Sequence, residues 1–144
     1  MSLNPAFWDT SALSPLCVTQ PQSPFAEILY GRHSVVAWWA TEVEIRSGLT
    51  RLVRMGVIPQ GQFLAAKQLA QSLVQSWHPV NASNRITGEA CSSLELHPLS
   101  AADALQLAAA LEAFEHKTQS HVFITADQRL ADAARLTGFA VEFI

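Results

Sequence analysis

Short apolar runs, each ending at a polar or acidic residue that can open a helix, recur along this chain. Ala6-Phe7-Trp8 stops at Asp9-Thr10-Ser11, the pattern of a buried strand running into a helix N-terminus. Ser23-Pro24 then reads as an N-cap followed by proline in the first turn, and Gly31 closes a short helix. Val35-Val36-Ala37-Trp38 reads as a second buried strand. It leads into Thr41-Glu42-Val43-Glu44, where Thr41 and Glu44 have capping-box spacing, and that helix ends at Gly56. Its interior Gly48 costs about 1 kcal/mol relative to Ala. Phe63, Leu64, Ala66, Leu69, Ala70, Leu73, Val74 and Trp77 predict a long helix from Gln60 to Trp77, stopped by His78-Pro79. Another covers Ile86 to Leu96. After Pro98, Ser100-Ala101-Ala102-Asp103 opens an Ala- and Leu-rich helix to about Glu115. His121 to Thr125 is strand-like, Asp127 starts a helix that Gly138 ends, and Ala140 to Ile144 returns as a strand.

Strands that are apolar throughout and alternate with helices imply a parallel sheet covered on both faces. The expected architecture is α/β, with residues 1–144 as a single domain, since 144 residues suffice for one core without staples. Only 15% of residues are charged, against about 25% in a typical domain, so some of the surface is expected to meet a partner. The formal net charge of -3 argues against nonspecific coating of nucleic acid, which depends on Lys and Arg neutralising phosphates. It leaves room for a local patch: Arg46, Arg51 and Arg54 fall within nine residues, as either a solvated helix face or a phosphate contact. Cys17 and Cys91 lack metal-ligand or disulfide spacing and are expected to be reduced core thiols. The start Met-Ser-Leu-Asn-Pro has no signal-peptide character, and no window is long and apolar enough to span a bilayer, so a soluble cytoplasmic protein is expected.

Three of the four aspartates, Asp9, Asp103 and Asp127, fall at predicted helix starts, and Glu44 occupies the same kind of position. In an open parallel sheet, strand C-termini and helix N-termini share the edge where ligands bind, so four carboxylates distant in sequence could converge there. Such a cluster repels itself unless protons or cations compensate, and an all-oxygen site suits Mg²⁺ or Mn²⁺. Each acid also has a structural explanation, because helix caps and first turns favour Asp and Glu without any ligand. Glu42 is a rival to Glu44, two residues away on a different helix face.

The local sequences add to the spacing. Phe7-Trp8-Asp9-Thr10-Ser11-Ala12-Leu13 resembles the opening motif of PIN-domain ribonucleases, and Thr41-Glu42-Val43-Glu44-Ile45-Arg46-Ser47-Gly48-Leu49 resembles their Thr-x-x-Glu-x-x-Ser-x-Leu element. Leu99-Ser100-Ala101-Ala102-Asp103-Ala104-Leu105-Gln106-Leu107-Ala108 is similar to the family's Asp-Ala-Leu-x-Leu-Ala helix, and Ile124-Thr125-Ala126-Asp127-Gln128-Arg129-Leu130 to its Thr-x-Asp-x-x-Leu turn. The four motifs occur in family order over essentially the whole chain, and size and spacing resemble the VapC-like toxin branch. Trp8 stands where an aliphatic residue is usual, Gly48 where Ala is common and Gln106 where His is frequent; none of these removes a carboxylate.

The resemblance implies a three-layer α/β/α sandwich with a central, mainly parallel sheet, and metal-dependent hydrolysis of RNA phosphodiesters. Asp9, Glu44, Asp103 and Asp127 would hold Mg²⁺ or Mn²⁺, with Asp9 central, while Thr125 and Thr10 would orient carboxylates from behind. It also implies a homodimer and a cognate antitoxin. None of His33, His78, His97, His116 or His121 belongs to the motifs, and each is expected at a loop or helix end. Of Trp38 and Trp39, one must point into the core if the strand reading holds. The alternative from another class is a non-catalytic PIN-like module binding RNA or protein. Phosphotransfer folds fit poorly: Ser11 stands where a dehalogenase needs its second Asp, and neither Lys67 nor Lys117 follows a late strand as a response regulator requires.

Overall fold

The apolar runs become the strands of a five-stranded sheet in the computed structural model, which describes residues 3–144. The strands are β1 (Asn4–Trp8), β2 (His33–Trp38), β3 (His78–Val80), β4 (Val122–Thr125) and β5 (Ala140–Phe143). Their order is β3-β2-β1-β4-β5, and every neighbouring pair is parallel. The helices are α1 (Thr10–Leu13), α2 (Ser23–Tyr30), α3 (Thr41–Arg54), α4 (Gln60–Ser76), α5 (Asn84–Leu96), α6 (Ala101–Ala113) and α7 (Gln128–Thr137). Side chains alternate across each strand, so one sequence run feeds two cores. Phe7, Val36, Trp38, Val80 and Phe123 face α5, α6 and α7, with Phe7 and Phe123 stacked at 5.2 Å between ring centroids. Ala6, Trp8, Val35, Ala37 and Ile124 face α1 to α4, where Ile45, Leu49, Ala66 and Leu73 cover them. Both faces are buried, and the result is a three-layer α/β/α sandwich.

Several local expectations are corrected by the structure. Ser23 is the first residue of α2 and not its cap: its hydroxyl donates to Pro15 O at 2.7 Å and accepts from Gln20 N at 2.9 Å, closing the preceding loop. Thr41 likewise lies inside α3 without forming a capping box. His78-Pro79, expected only to end the long helix, forms with Val80 a fifth strand. Proline is tolerated because β3 lies at the edge of the sheet, where a missing N–H leaves no ladder bond unmade on the open side. His33 and His78 therefore begin strands, while His97, His116 and His121 sit at helix ends or in a turn. Cys17 is buried, which pushes its thiol up to about 11, but Cys91 is exposed on α5. Gly138 has φ of +110°, and a Cβ there would lie 2.5 Å from the Thr118 hydroxyl; glycine is required where α7 turns back into β5. Met1 and Ser2, part of the stretch read for a signal peptide, lie outside the described residues. Among the described residues no helix is long and apolar enough to cross a membrane.

Candidate active site

Because all five strands are parallel, their C-terminal ends share one edge, and the acids follow from that. Asp9 is the residue after β1 and caps α1, accepting from Ala12 N at 3.2 Å. Asp127 follows β4 and caps α7, accepting from Leu130 N at 3.0 Å. Glu44 projects from the first turn of α3 and Asp103 from the first turn of α6, whose Ser100 cap accepts from Asp103 N at 3.2 Å. All four line one pocket of about 250 Å³, together with Thr10, Ser11, Ser14, Gly48, Arg51 and Gln106. Capping and convergence are thus compatible: Asp9 and Asp127 use one carboxylate oxygen for the helix. Glu42 is not among the lining residues.

Asp9 is the most constrained of the set. It is 3% exposed, and the Ser11 hydroxyl donates to Oδ1 at 2.6 Å while the Thr125 hydroxyl donates to Oδ2 at 2.9 Å. Burial pushes its carboxyl up to about 7, the hydrogen bonds from Ser11, Thr125 and Ala12 opposing the shift and repulsion from Asp103 adding to it. Glu44 and Asp103 are also raised, each chiefly by burial. Asp103 repels Glu44, and Asp127 repels Asp103, with Arg129 relieving part of the latter. Electrostatically, Asp103 is the group that couples the others.

Two holding residues escaped the sequence reading. Ser11 was expected only as part of a motif, yet its hydroxyl holds Asp9 and accepts from Ala126 N at 2.8 Å, tying the end of β1 to the β4–α7 turn. Gln106, on α6, is 2% exposed; its Nε2 lies 2.9 Å from Glu44 Oε1 and 3.1 Å from both the Thr10 and Thr41 hydroxyls. Its Oε1 is buried without a partner. The orientation is fixed by charge, since a flipped amide would turn its carbonyl against the Glu44 carboxylate. The signal for Gln106 was a lone polar residue inside an Ala- and Leu-rich helix. Thr125 acts on Asp9 as expected, and Thr10 acts on the Glu44 side, where its hydroxyl helps to hold that carboxylate down.

The chemistry of the donor set fits a hard divalent ion: carboxylate oxygens only, on a mutually repelling cluster whose burial disfavours charge without a counterion. Among the described residues, no three His, Cys, Asp or Glu side chains form a ready-made cage around one point.

No family model matches the sequence, and no curated protein does. Solved structures do share its fold. The crystal structure of FitAcB from Neisseria gonorrhoeae superposes with a TM-score of 0.64 at 18% identity, covering 96% of each chain. This chain has a PIN-like fold. PAE2754 from Pyrobaculum aerophilum matches the PIN-like sandwich with a TM-score of 0.64 at 17% identity, covering 96% of this chain and 89% of that one. A chain of a toxin-antitoxin complex from Klebsiella pneumoniae matches with a TM-score of 0.61 at 18% identity, over 88% of this chain and 90% of its own. The resemblance of VapC-like toxins read from the four motifs therefore extends to the three-dimensional PIN-like architecture.

Proposed function

We propose that this chain is a metal-dependent endoribonuclease acting as the toxin of a toxin-antitoxin pair. The observation that carries the reading is the convergence of Asp9, Glu44, Asp103 and Asp127, from four separate elements, on one pocket at the C-terminal edge of the sheet. These four carboxylates would hold Mg²⁺ or Mn²⁺. When bound, the ion supplies positive charge that activates water and offsets the charge on the phosphate and leaving oxygen. The chain's own contribution is orientation. Ser11 and Thr125 clamp both oxygens of Asp9, and Gln106 fixes Glu44 with a neutral donor.

One protein of like fold is part of a toxin-antitoxin complex, which supports an antitoxin as partner here. An antitoxin with a basic segment suits this pocket, because an Arg guanidinium can bridge two carboxylate oxygens where metal and phosphate would otherwise sit. A second copy of the chain is a further proposed partner, on the family resemblance and the low share of charged residues.

The absence, among the described residues, of a ready-made three-ligand cage favours one rival, a non-catalytic PIN-like module that binds RNA or protein. Incubating the purified protein with total cellular RNA, with and without Mn²⁺, and mapping new ends separates the two. The nuclease reading expects Mn²⁺-dependent cuts by the wild type and none by Asp9→Asn, which replaces a charged ligand by a weak neutral one. Cutting by Asp9→Asn at the wild-type rate removes the site assignment, and no cutting under any condition favours the binding module.

A further inference from the structure

The carboxylate pocket is not closed on the side of α3. Its wall residues Ser11, Ser14, Gly48 and Arg51 also line a second, larger cleft of about 520 Å³ between the α1 segment and α3. That volume lies in the roughly 300–1,000 Å³ range of small-ligand sites. Val18, Leu49, Leu52 and Met55 give the cleft an apolar wall, while Gln20 and Gln22 add side-chain amides that carry both donors and acceptors. The two cavities differ in character but share a border, and among the described residues the only cationic side chain lining either is Arg51.

Gly48 supports the view that this border is kept open. It lies in the interior of α3, where glycine weakens a helix, yet a Cβ built on it meets nothing within 4 Å. Packing therefore does not demand glycine. A larger side chain there would extend into the space between the two cavities. The three arginines of α3 also separate: Arg46 is partly buried with its Nε unpartnered, Arg54 is exposed and lines neither cavity, and Arg51 lines both.

We propose that the α1–α3 cleft is a nucleotide subsite: it holds the base of the RNA residue next to the phosphate at the carboxylates, with Arg51 on the connecting phosphate. The proposal rests on the nuclease reading for the identity of the strand. RNA is the occupant we commit to, because Arg51 can meet a phosphate where the apolar wall can meet a base. A phosphodiester chain leaving an acidic, metal-holding pocket needs a cation at the exit and an apolar surface for the next base, and α3 provides both in that order. The Gln20 and Gln22 amides are placed to meet a base edge, so they would contribute to base preference.

The test uses four proteins: wild type, Gly48→Phe, Arg51→Gln and, as a control on the same helix, Arg54→Gln. Binding of a fluorescein-labelled random-sequence RNA decamer is measured by anisotropy with Ca²⁺ in place of Mn²⁺, and cleavage of the same pool is measured with Mn²⁺. Melting curves establish that each variant folds; should Gly48→Phe fail to fold, Arg51→Gln carries the test. The subsite predicts binding about tenfold weaker for Gly48→Phe and for Arg51→Gln, with Arg54→Gln unchanged. If the wild type cleaves RNA and both variants bind as tightly as it does, the subsite is overturned while the nuclease reading stands. A cleft that takes a protein segment gives that same result. If the wild type binds but does not cleave, the nuclease reading fails, and the same weakening by the two variants sustains the cleft as an RNA site. No binding by the wild type overturns both.

Discussion

The two walls of the carboxylate pocket hold their acids in different ways. On the sheet side, Asp9 and Asp127 stand at adjacent strand ends, and Asp9 is gripped by hydroxyls from Ser11 and Thr125 while Asp9 N donates to Ile124 O at 3.1 Å. On the helix side, Glu44 and Asp103 project from the first turns of α3 and α6, and one amide, Gln106, spans Glu44, Thr10 and Thr41. The first wall is set by backbone pairing between β1 and β4. The second depends on how two helices pack, with a single side chain as the tie. Losing an acid from either wall should therefore remove function by removing charge, whereas losing a tie should loosen geometry, on the sheet side one hydroxyl of two and on the helix side the single amide.

The largest expected effect comes from the charges themselves. Glu44→Gln should lower metal-dependent RNA cleavage by about 100-fold or more, while Glu42→Gln, outside the pocket, should leave the rate near wild type. The reverse order would mean that α3 presents a different face to the ion. Next come the ties. Thr125→Val and Gln106→Leu should each cost roughly 10- to 100-fold in activity or metal affinity, the usual penalty for removing a partner behind a ligand. Gln106→Glu is the sharper variant on the helix side, because it puts a second carboxylate where an amide donated to Glu44. It should be worse than Gln106→Leu in the absence of metal, as read by melting temperature.

A smaller effect is expected from pH. The Asp9 carboxyl is raised to about 7 in the folded chain and has an ordinary value near 4 when unfolded, so between these values the folded state holds a proton that the unfolded state has lost. The contribution of Asp9 to stability is then present below about pH 4 and declines as pH rises to about 7. Melting in EDTA should accordingly show wild type losing stability relative to Asp9→Asn between pH 5 and pH 7.5, and parallel curves would contradict the buried-carboxylate account. The smallest effect concerns Gly48: Gly48→Ala should raise stability by about 0.5–1 kcal/mol, since the added methyl gains helix propensity and meets no neighbour. Destabilisation there would mean that the border between the two cavities is tighter than it looks.

The contrast between the walls also explains what could be read from the sequence. Asp9 and Asp127 were legible as acids where an apolar run ends and a helix begins, a position that also suits a cap, and both do cap their helices. Glu44 and Asp103 were legible as first-turn acids, although the Thr41 capping box expected beside Glu44 does not form; Thr41 is buried and accepts from Gln106 instead. Gln106 was not legible as a tie, because α6 is buried on nearly all sides and its Ala-Leu pattern does not distinguish the face toward the pocket. The strand β3 was missed for a related reason: His78-Pro79-Val80 is too short for periodicity, and its proline reads as a helix stop. Trp38, the last residue of β2, is buried in the core, whereas Trp39 stands in the turn just beyond the strand and is 62% exposed.

The central claim, that both walls together hold divalent metal, is tested most directly by thermal melting with Mn²⁺ titrated into the metal-free protein. An ion that binds only the folded state should stabilise it by about 2.7 kcal/mol at 100 times the dissociation constant. The account predicts a saturable rise in melting temperature for the wild type that is lost in Asp9→Asn and sharply reduced in Glu44→Gln. A wild-type melting curve unmoved by millimolar Mn²⁺, or an equal rise in all three proteins, would contradict it.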